Sequence, residues 1–216
     1  MTKIAVITSN VGPRAGRKLS DPINVYDNVD YYAFVDVFTN AKVWNQQKPF
    51  QFSTDLGFKD RRNAKVYKIL PQLFFPDYDY YIWMDITHGL LMNPHEIISE
   101  LTEDIGIFRH NRRNCVYDES QEILKYRMDY QHLVEFQMND YFTNGYPGKN
   151  GLFELPTFVL KNTPKIKEMS LMWWEQICKY SSRDQLSLPY VLHKLNIKPH
   201  IFEGDSQTIN KYFRKY

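Results

Sequence analysis

Tyr80-Tyr81-Ile82-Trp83-Met84-Asp85-Ile86-Thr87 is the stretch on which the fold turns. Five bulky apolar or aromatic residues in succession, too few to cross a membrane and rich in strand formers, predict a strand buried on both faces that runs into a carboxylate. In open α/β sheets ligands gather at the carboxyl ends of strands, so Asp85 stands where a divalent cation or a sugar hydroxyl could be held. Asp is also a common turn and cap residue, and this window alone leaves both roles open.

Immediately upstream, Arg61 to Pro71 has helical spacing. Val66 and Leu70 mark an apolar face, while Arg61, Lys65 and Lys68 fall at i, i+4 and i+7. Three cations on one stripe can face a diphosphate or simply water; Pro71 closes the helix. Nearer the amino terminus, Ile4 to Thr8 reads as a strand followed by a turn from Ser9 to Arg14, and Tyr31 to Val37 as a second strand with Asp36 near its end. Asp36 suits a ribose or a base as well as a solvated turn. The loop after the first strand has neither GxGxxG nor GxxxxGKS, which excludes the dinucleotide fingerprint and the P-loop. Residues 39 to 59 show no clean period and read as a loop with a short helix.

Downstream, Asn93-Pro94 predicts a helix start with Asn93 as cap and Pro94 at the first position, leading into Ile97 to Thr102. A strand at Asp104 to Phe108 ends in Arg109-His110-Asn111-Arg112-Arg113-Asn114, a cationic cluster suited to a phosphate, a glycan or solvent. Residues 116 to 142 read as helical, with Ile123, Tyr126, Tyr130, Leu133 and Phe136 on one face. Residues 144 to 151 carry the strongest turn signal in the chain. The strand from Leu152 to Leu160 contains Pro156, which restricts it to an edge or a bulge, and Glu154 beside that irregularity is a candidate site residue.

Ile166, Met169, Trp173 and Ile177 form a helical stripe that assigns the Trp pair to the core. Ser182 and Gln185 have capping-box spacing and open a last helix with Leu188, Val191, Leu192 and Leu195 buried. Asp184 then lies in the first turn, where the macrodipole holds a carboxylate ionised and suits it to accept hydrogen bonds or act as a weak base rather than an acid. A short strand at Lys198 to Phe202 carries His200, before a basic tail. The alternation of strands and helices argues for a mixed α/β sandwich around a largely parallel sheet.

Length and composition set the outer bounds. With 216 residues and 43% hydrophobic content the chain can bury a real core, and residues 1 to 216 are expected to form one domain. Twenty-seven Lys and Arg against 25 Asp and Glu leave a formal charge of +2, so no cationic excess points to nucleic acid. Cys115 and Cys178 lack the spacing of a disulfide framework or a zinc site and suit a reducing compartment. The first residues turn polar too soon for a secretory signal, and no apolar run approaches a membrane span. A soluble, cytoplasmic protein is expected.

Taken together, Arg61-Arg62-Asn63-Ala64-Lys65, Tyr81-Ile82-Trp83-Met84-Asp85, Phe108-Arg109-His110, Arg113-Asn114-Cys115-Val116-Tyr117, Trp173-Trp174-Glu175 and Ser182-Arg183-Asp184-Gln185-Leu186-Ser187 occur in an order that resembles a glycosyltransferase-like family. It was once a domain of unknown function and includes plant proteins linked to seed-mucilage synthesis. A domain of this length is also similar to the amino-terminal glycosyltransferase domain of a multidomain protein of large algal (chlorella) viruses. That likeness implies further carboxyl-terminal domains and a virus-infected host cell.

The resemblance implies a GT-A-like single domain, which binds a nucleotide-sugar through a DxD motif and Mn2+ or Mg2+. Asp85-Ile86-Thr87 takes the DxD place with Thr87 where the second acid belongs. Either Asp85 works with diphosphate oxygens, water and His200, or the metal is weakly held. By the same resemblance Lys65 and Arg62 face the diphosphate; Arg113, His110 and Asp36, read from their places at strand ends, are further candidates for contact with the nucleotide-sugar. Asp184 is the implied base of an inverting transfer, with Glu154 as second choice. The implied reaction moves a hexose or 6-deoxyhexose, of glucose or rhamnose type, from a UDP-sugar to the hydroxyl of a glycan or glycoprotein. The alternatives are a non-catalytic domain that binds a nucleotide-sugar or glycan, and a haloacid-dehalogenase-type phosphatase, whose first motif wants a second Asp where Thr87 stands.

Overall fold

The computed structural model describes residues 1–12, 18–51 and 59–216. In chain order the elements are β1 (Ile4–Asn10), β2 (Val29–Val35), β3 (Asn45–Gln47), α1 (Lys59–Ile69), α2 (Pro71–Phe74), β4 (Tyr80–Met84), β5 (His88–Leu90), α3 (Pro94–Ser99), β6 (Ile105–Arg109), α4 (Val116–Lys125), α5 (Gln131–Thr143), β7 (Phe153–Lys161), α6 (Pro164–Lys179), α7 (Asp184–Lys194), β8 (His200–Ile201) and β9 (Phe213–Lys215). Seven strands form one sheet in the order β3-β2-β1-β4-β7-β6-β8, and β5 pairs with β9 in a separate ribbon. The first four strands of that order are mutually parallel; β7 runs antiparallel to both β4 and β6, and β8 is parallel to β6. This is the α/β, GT-A-like architecture expected, with a mostly parallel central sheet.

Strand β4, the apolar run from Tyr80 to Met84, is the middle of the sheet. Alternation sends Tyr81 and Trp83 into one apolar cluster and Ile82 and Met84 into another, all of them buried. The first cluster lies under α1, α4, α5, α6 and α7; the second lies under α3 and the β5–β9 ribbon. Continued by one residue, the alternation carries Asp85 to the side of α1 and α7. Helix α1 is seated by Tyr67, whose ring stacks on Phe34 of β2 with centroids 3.5 Å apart. Such a pair adds about 0.5–1.5 kcal/mol beyond its burial and fixes the rotation of the helix about its axis. Tyr141 of α5 and Tyr190 of α7 stack likewise at 3.8 Å. No helix among the described residues is long and apolar enough to cross a membrane.

Several local expectations change. The helical stretch at 116–142 is two helices, α4 and α5, interrupted where Arg127 takes a positive φ of 49°. Its buried face is Ile123, Val134, Gln137 and Tyr141, whereas Tyr126 and Phe136 are exposed. Between 39 and 51 the chain forms β3 rather than a helix; Pro13 and Arg14 of the early turn, and residues 52–58 with Gly57, lie outside the described residues. Pro71 ends α1 and also starts α2. Pro156 sits in an interior strand, inside a register shift between β6 and β7 that spans Glu154 to Val159. The missing N–H is tolerated because the ladder is already broken there. The tail is not loose: Tyr216 N–H donates to the Thr87 carbonyl at 2.8 Å beside the ribbon.

Candidate active site

A cavity of about 720 Å³ opens at the carboxyl ends of β1, β4 and β6 and the amino end of β7, between α1 and the start of α7. It is large enough for a nucleotide-sugar. Asp85 reaches it from the end of β4 and is held from two sides. Its N–H donates to the Pro156 carbonyl at 2.7 Å, and its Oδ1 accepts the Trp83 indole N–H at 2.7 Å. The bulge in β7 thus presents a carbonyl where the regular ladder has ended.

The cationic stripe of α1 faces this cavity rather than solvent. Lys65 Nζ donates to Asp184 Oδ1 at 2.9 Å and to the Ser182 carbonyl at 2.5 Å. Lys68 Nζ lies 2.7 Å from Asp184 Oδ2 and 4.0 Å from Asp85 Oδ1. The Lys68 ammonium meets Asp184 Oδ2 as a close ion pair, and no other donor reaches that buried oxygen. Burial pushes the Asp184 carboxyl up, yet the ammonium groups of Lys65 and Lys68 outweigh it and hold that carboxyl well below the usual range. Burial lowers Lys65 to about 8, against the pull of Asp184. Asp184 is the first residue of α7, but Ser182 is not its cap: Arg183 is, without a side-chain bond.

The hydroxyl of Ser182 is engaged by a residue that sequence reading passed over. Asp129, buried between α4 and α5, accepts from Ser181 Oγ (2.8 Å), Ser182 N (2.8 Å) and Ser182 Oγ (2.7 Å) on one oxygen and from Tyr130 N (2.8 Å) on the other. Asp129 therefore holds the loop that delivers both Asp184 and the carbonyl facing Lys65. Nothing in its local sequence signals this, because its partners are more than fifty residues away.

His110 and Arg113 line the cavity on the β6 side. Arg113 Nε bonds Glu119 at 2.7 Å. His110 Nδ1 accepts from the N–H groups of Arg112 and Arg113, so its proton sits on Nε2, 3.9 Å from Glu119; burial depresses its pKa and keeps it neutral. Glu154 also lines the cavity, but its carboxylate accepts from Ser206 N (2.9 Å), Ser206 Oγ (2.6 Å) and more weakly Asn111 N (3.4 Å). Ser206 in turn accepts at its carbonyl from His88 Nε2 at 3.1 Å. Glu154 thus ties the carboxyl-terminal segment to the sheet.

Three expected site residues stand apart from this group. Arg62 turns away from the cavity and donates to the carbonyls of Ile177 (3.1 Å) and Tyr180 (2.9 Å), closing the carboxyl end of α6. One residue round the helix from the stripe is enough to change its surroundings. His200 is aligned with Gly106 at the start of β6, the opposite end of the sheet, where its ring meets Thr102. It cannot share a ligand with Asp85. Asp36, at the end of β2, is not among the cavity-lining residues; its Oδ2 accepts from Gly12 N at 2.6 Å, which shapes the loop after β1.

The metal implied by the DxD resemblance finds a poor donor set. Thr87 does not line the cavity; its hydroxyl pairs with His88 Nδ1 at 2.9 Å. With His88 Nε2 donating to Ser206, that ring nitrogen is the acceptor. Among the described residues no three His, Cys, Asp or Glu side chains converge to hold an ion. One carboxylate with an ammonium 4.0 Å away is unlike the oxygen-rich shell that Mg2+ or Mn2+ takes.

Comparison with known proteins agrees with the fold. A family model described as "TOD1/MUCI70, glycosyltransferase-like domain" matches residues 14–209. The Arabidopsis thaliana protein named "Probable hexosyltransferase MUCI70" is 26% identical over 197 residues, covering 80% of this chain and 34% of that protein. The chain spans about a third of the length of this relative.

Proposed function

As the chain belongs to the TOD1/MUCI70 glycosyltransferase-like domain family, we propose that it transfers a hexose or 6-deoxyhexose from a UDP-sugar to a hydroxyl of a glycan or glycoprotein. The observation that carries this reading is one cavity in which Asp85, Asp184, Lys65 and Lys68 meet at the carboxyl ends of the parallel strands. In this scheme the donor diphosphate lies along the cationic stripe of α1, and Asp85 accepts hydroxyls of the donor sugar. Asp184 takes the proton of the incoming acceptor hydroxyl as it attacks the anomeric carbon, and the ammonium of Lys65 stabilises the departing diphosphate. Asp184 is ionised at neutral pH, and in this scheme it becomes basic enough to take the proton only as the diphosphate draws on the charge of Lys65 and Lys68. The displacement is inverting.

The phosphatase alternative loses its basis: the position that would supply its second acid is Thr87, whose hydroxyl is engaged by His88. The non-catalytic alternative makes a different prediction from ours. The test is release of UDP from a panel of UDP-hexoses and UDP-6-deoxyhexoses, with and without oligosaccharide acceptors, for the wild type and for Asp184→Asn. Acceptor-stimulated release that falls at least a hundredfold in the variant supports transfer. Tight nucleotide-sugar binding with no release in any combination favours a binding domain instead.

A further inference from the structure

We infer that this chain neutralises the donor diphosphate with its own cations and has no need of a divalent metal. The inference rests on the donor reading above and goes beyond it, to how the leaving group is held.

Among the described residues the cavity wall carries six cationic side chains, Arg61, Lys65, Lys68, Arg112, Arg113 and Arg183, against four carboxylates, Asp60, Asp85, Glu154 and Asp184, with Glu119 paired to Arg113 just behind it. The cations therefore outnumber the anions here, and the excess falls on the side that a diphosphate would meet. A divalent ion would have to enter a space already lined by cationic side chains. In a partly enclosed site repulsion between like charges is screened less than on the surface.

One donor of the cavity wall is left over. Arg183 sits at the mouth of α7 with one bond from Nη2 to Gln185 Oε1 at 3.3 Å, while its Nε is buried without a partner. A buried N–H of that kind is costly unless something accepts from it, and a phosphate oxygen is the acceptor that a guanidinium fits best. The two oxygens that a DxD motif would offer are reduced to one side chain, whose Oδ1 already accepts from Trp83 and faces Lys68. Arginine and lysine at the leaving group can supply the charge stabilisation that a metal supplies elsewhere.

The experiment is calorimetric binding of UDP to the intact chain in EDTA and again with 1 mM Mn2+ or Mg2+. The expected result is a dissociation constant in EDTA within threefold of the value with either metal, and at least tenfold weaker binding in Arg183→Ala, partly restored in Arg183→Lys. Circular dichroism and thermal melting of both variants check that the fold is kept. Binding that tightens more than tenfold with metal, with the gain lost in Asp85→Asn, overturns the inference and leaves the donor reading standing. An Arg183→Ala variant that folds and binds UDP like the wild type also overturns it. No binding of UDP, GDP or dTDP under any condition overturns the donor reading, and this inference with it.

Discussion

Lys68 and Asp184 form a buried ion pair, 2.7 Å apart, with their side chains 5% and 8% exposed. Lys65 completes a triad on the same carboxylate. Removing one member of a buried pair leaves an uncompensated charge and costs about 3–5 kcal/mol. Asp184→Ala, which strands two ammonium groups, is expected to fall in that range by urea denaturation. Lys68→Met in the Asp184→Ala background should then be less harmful than Lys68→Met alone. Additive losses would show that the two side chains do not interact.

The pH dependence of stability follows from the same triad. Lys65, lowered by burial to about 8, is protonated up to about 10.4 when unfolded, so the unfolded chain binds more protons between these values. Its contribution to stability therefore rises with pH from 8 to about 10. Above that, Tyr31 and Tyr146, both pushed up to about 12 by burial, keep protons that the unfolded chain loses, and the trend reverses. On the acid side Asp184 contributes stability above about pH 4 and loses it as pH falls toward its depressed value. Urea midpoints from pH 3 to 11 for wild type and Lys65→Met check this: the rise between 8 and 10 should be missing in the variant.

Asp129 does not line the cavity, yet it holds the loop that carries Asp184. Asp129→Ala leaves Ser181 and Ser182 donors buried without their acceptor, at a cost of about 3 kcal/mol. Hydrogen exchange should accelerate at residues 181–184 before other parts of α7. Acceptor-stimulated UDP release should fall at least tenfold under conditions where the variant remains folded. Unchanged exchange in that loop would refute the positioning role.

Two substitutions separate the site from its surroundings. His200→Ala, at the far end of β6, should leave UDP release within twofold of wild type. Ser206→Ala removes a 2.6 Å bond to Glu154, worth about 1.5–3 kcal/mol when the acceptor is charged, and should loosen residues 203–216. If Glu154 rather than Asp184 is the base, Glu154→Gln will abolish release while Asp184→Asn does not.

What could be read from the sequence followed local regularity. The apolar run from Tyr80 to Met84 and the 3.6-residue spacing of Arg61, Lys65 and Lys68 are local patterns, and both appear in the structure where they were expected. Local spacing also misled. Ser182 and Gln185 have the separation of a capping box, but Asp129 competes for the serine hydroxyl from fifty-three residues away. Arg62 neighbours the stripe in sequence and lies round the helix from it in space. The strand pair β5 and β9, only three residues each, was invisible because its register is set by chain segments more than a hundred residues apart.

The place of β7 beside β4 ties the middle of the sheet to residues made more than seventy positions later in the chain. Tyr80 pairs with Lys161 and Met84 with Thr157, so the middle of the sheet stays open until the chain has wound through α3, β6, α4 and α5 and come back. Until then the newly made β4 shows a bare edge of apolar residues to its surroundings, the kind of edge that recruits other chains. Asp85 itself gains its Pro156 partner only at that closing step. Chains truncated between residues 90 and 150 lack the strand that covers this edge and are therefore expected to aggregate more than the whole chain.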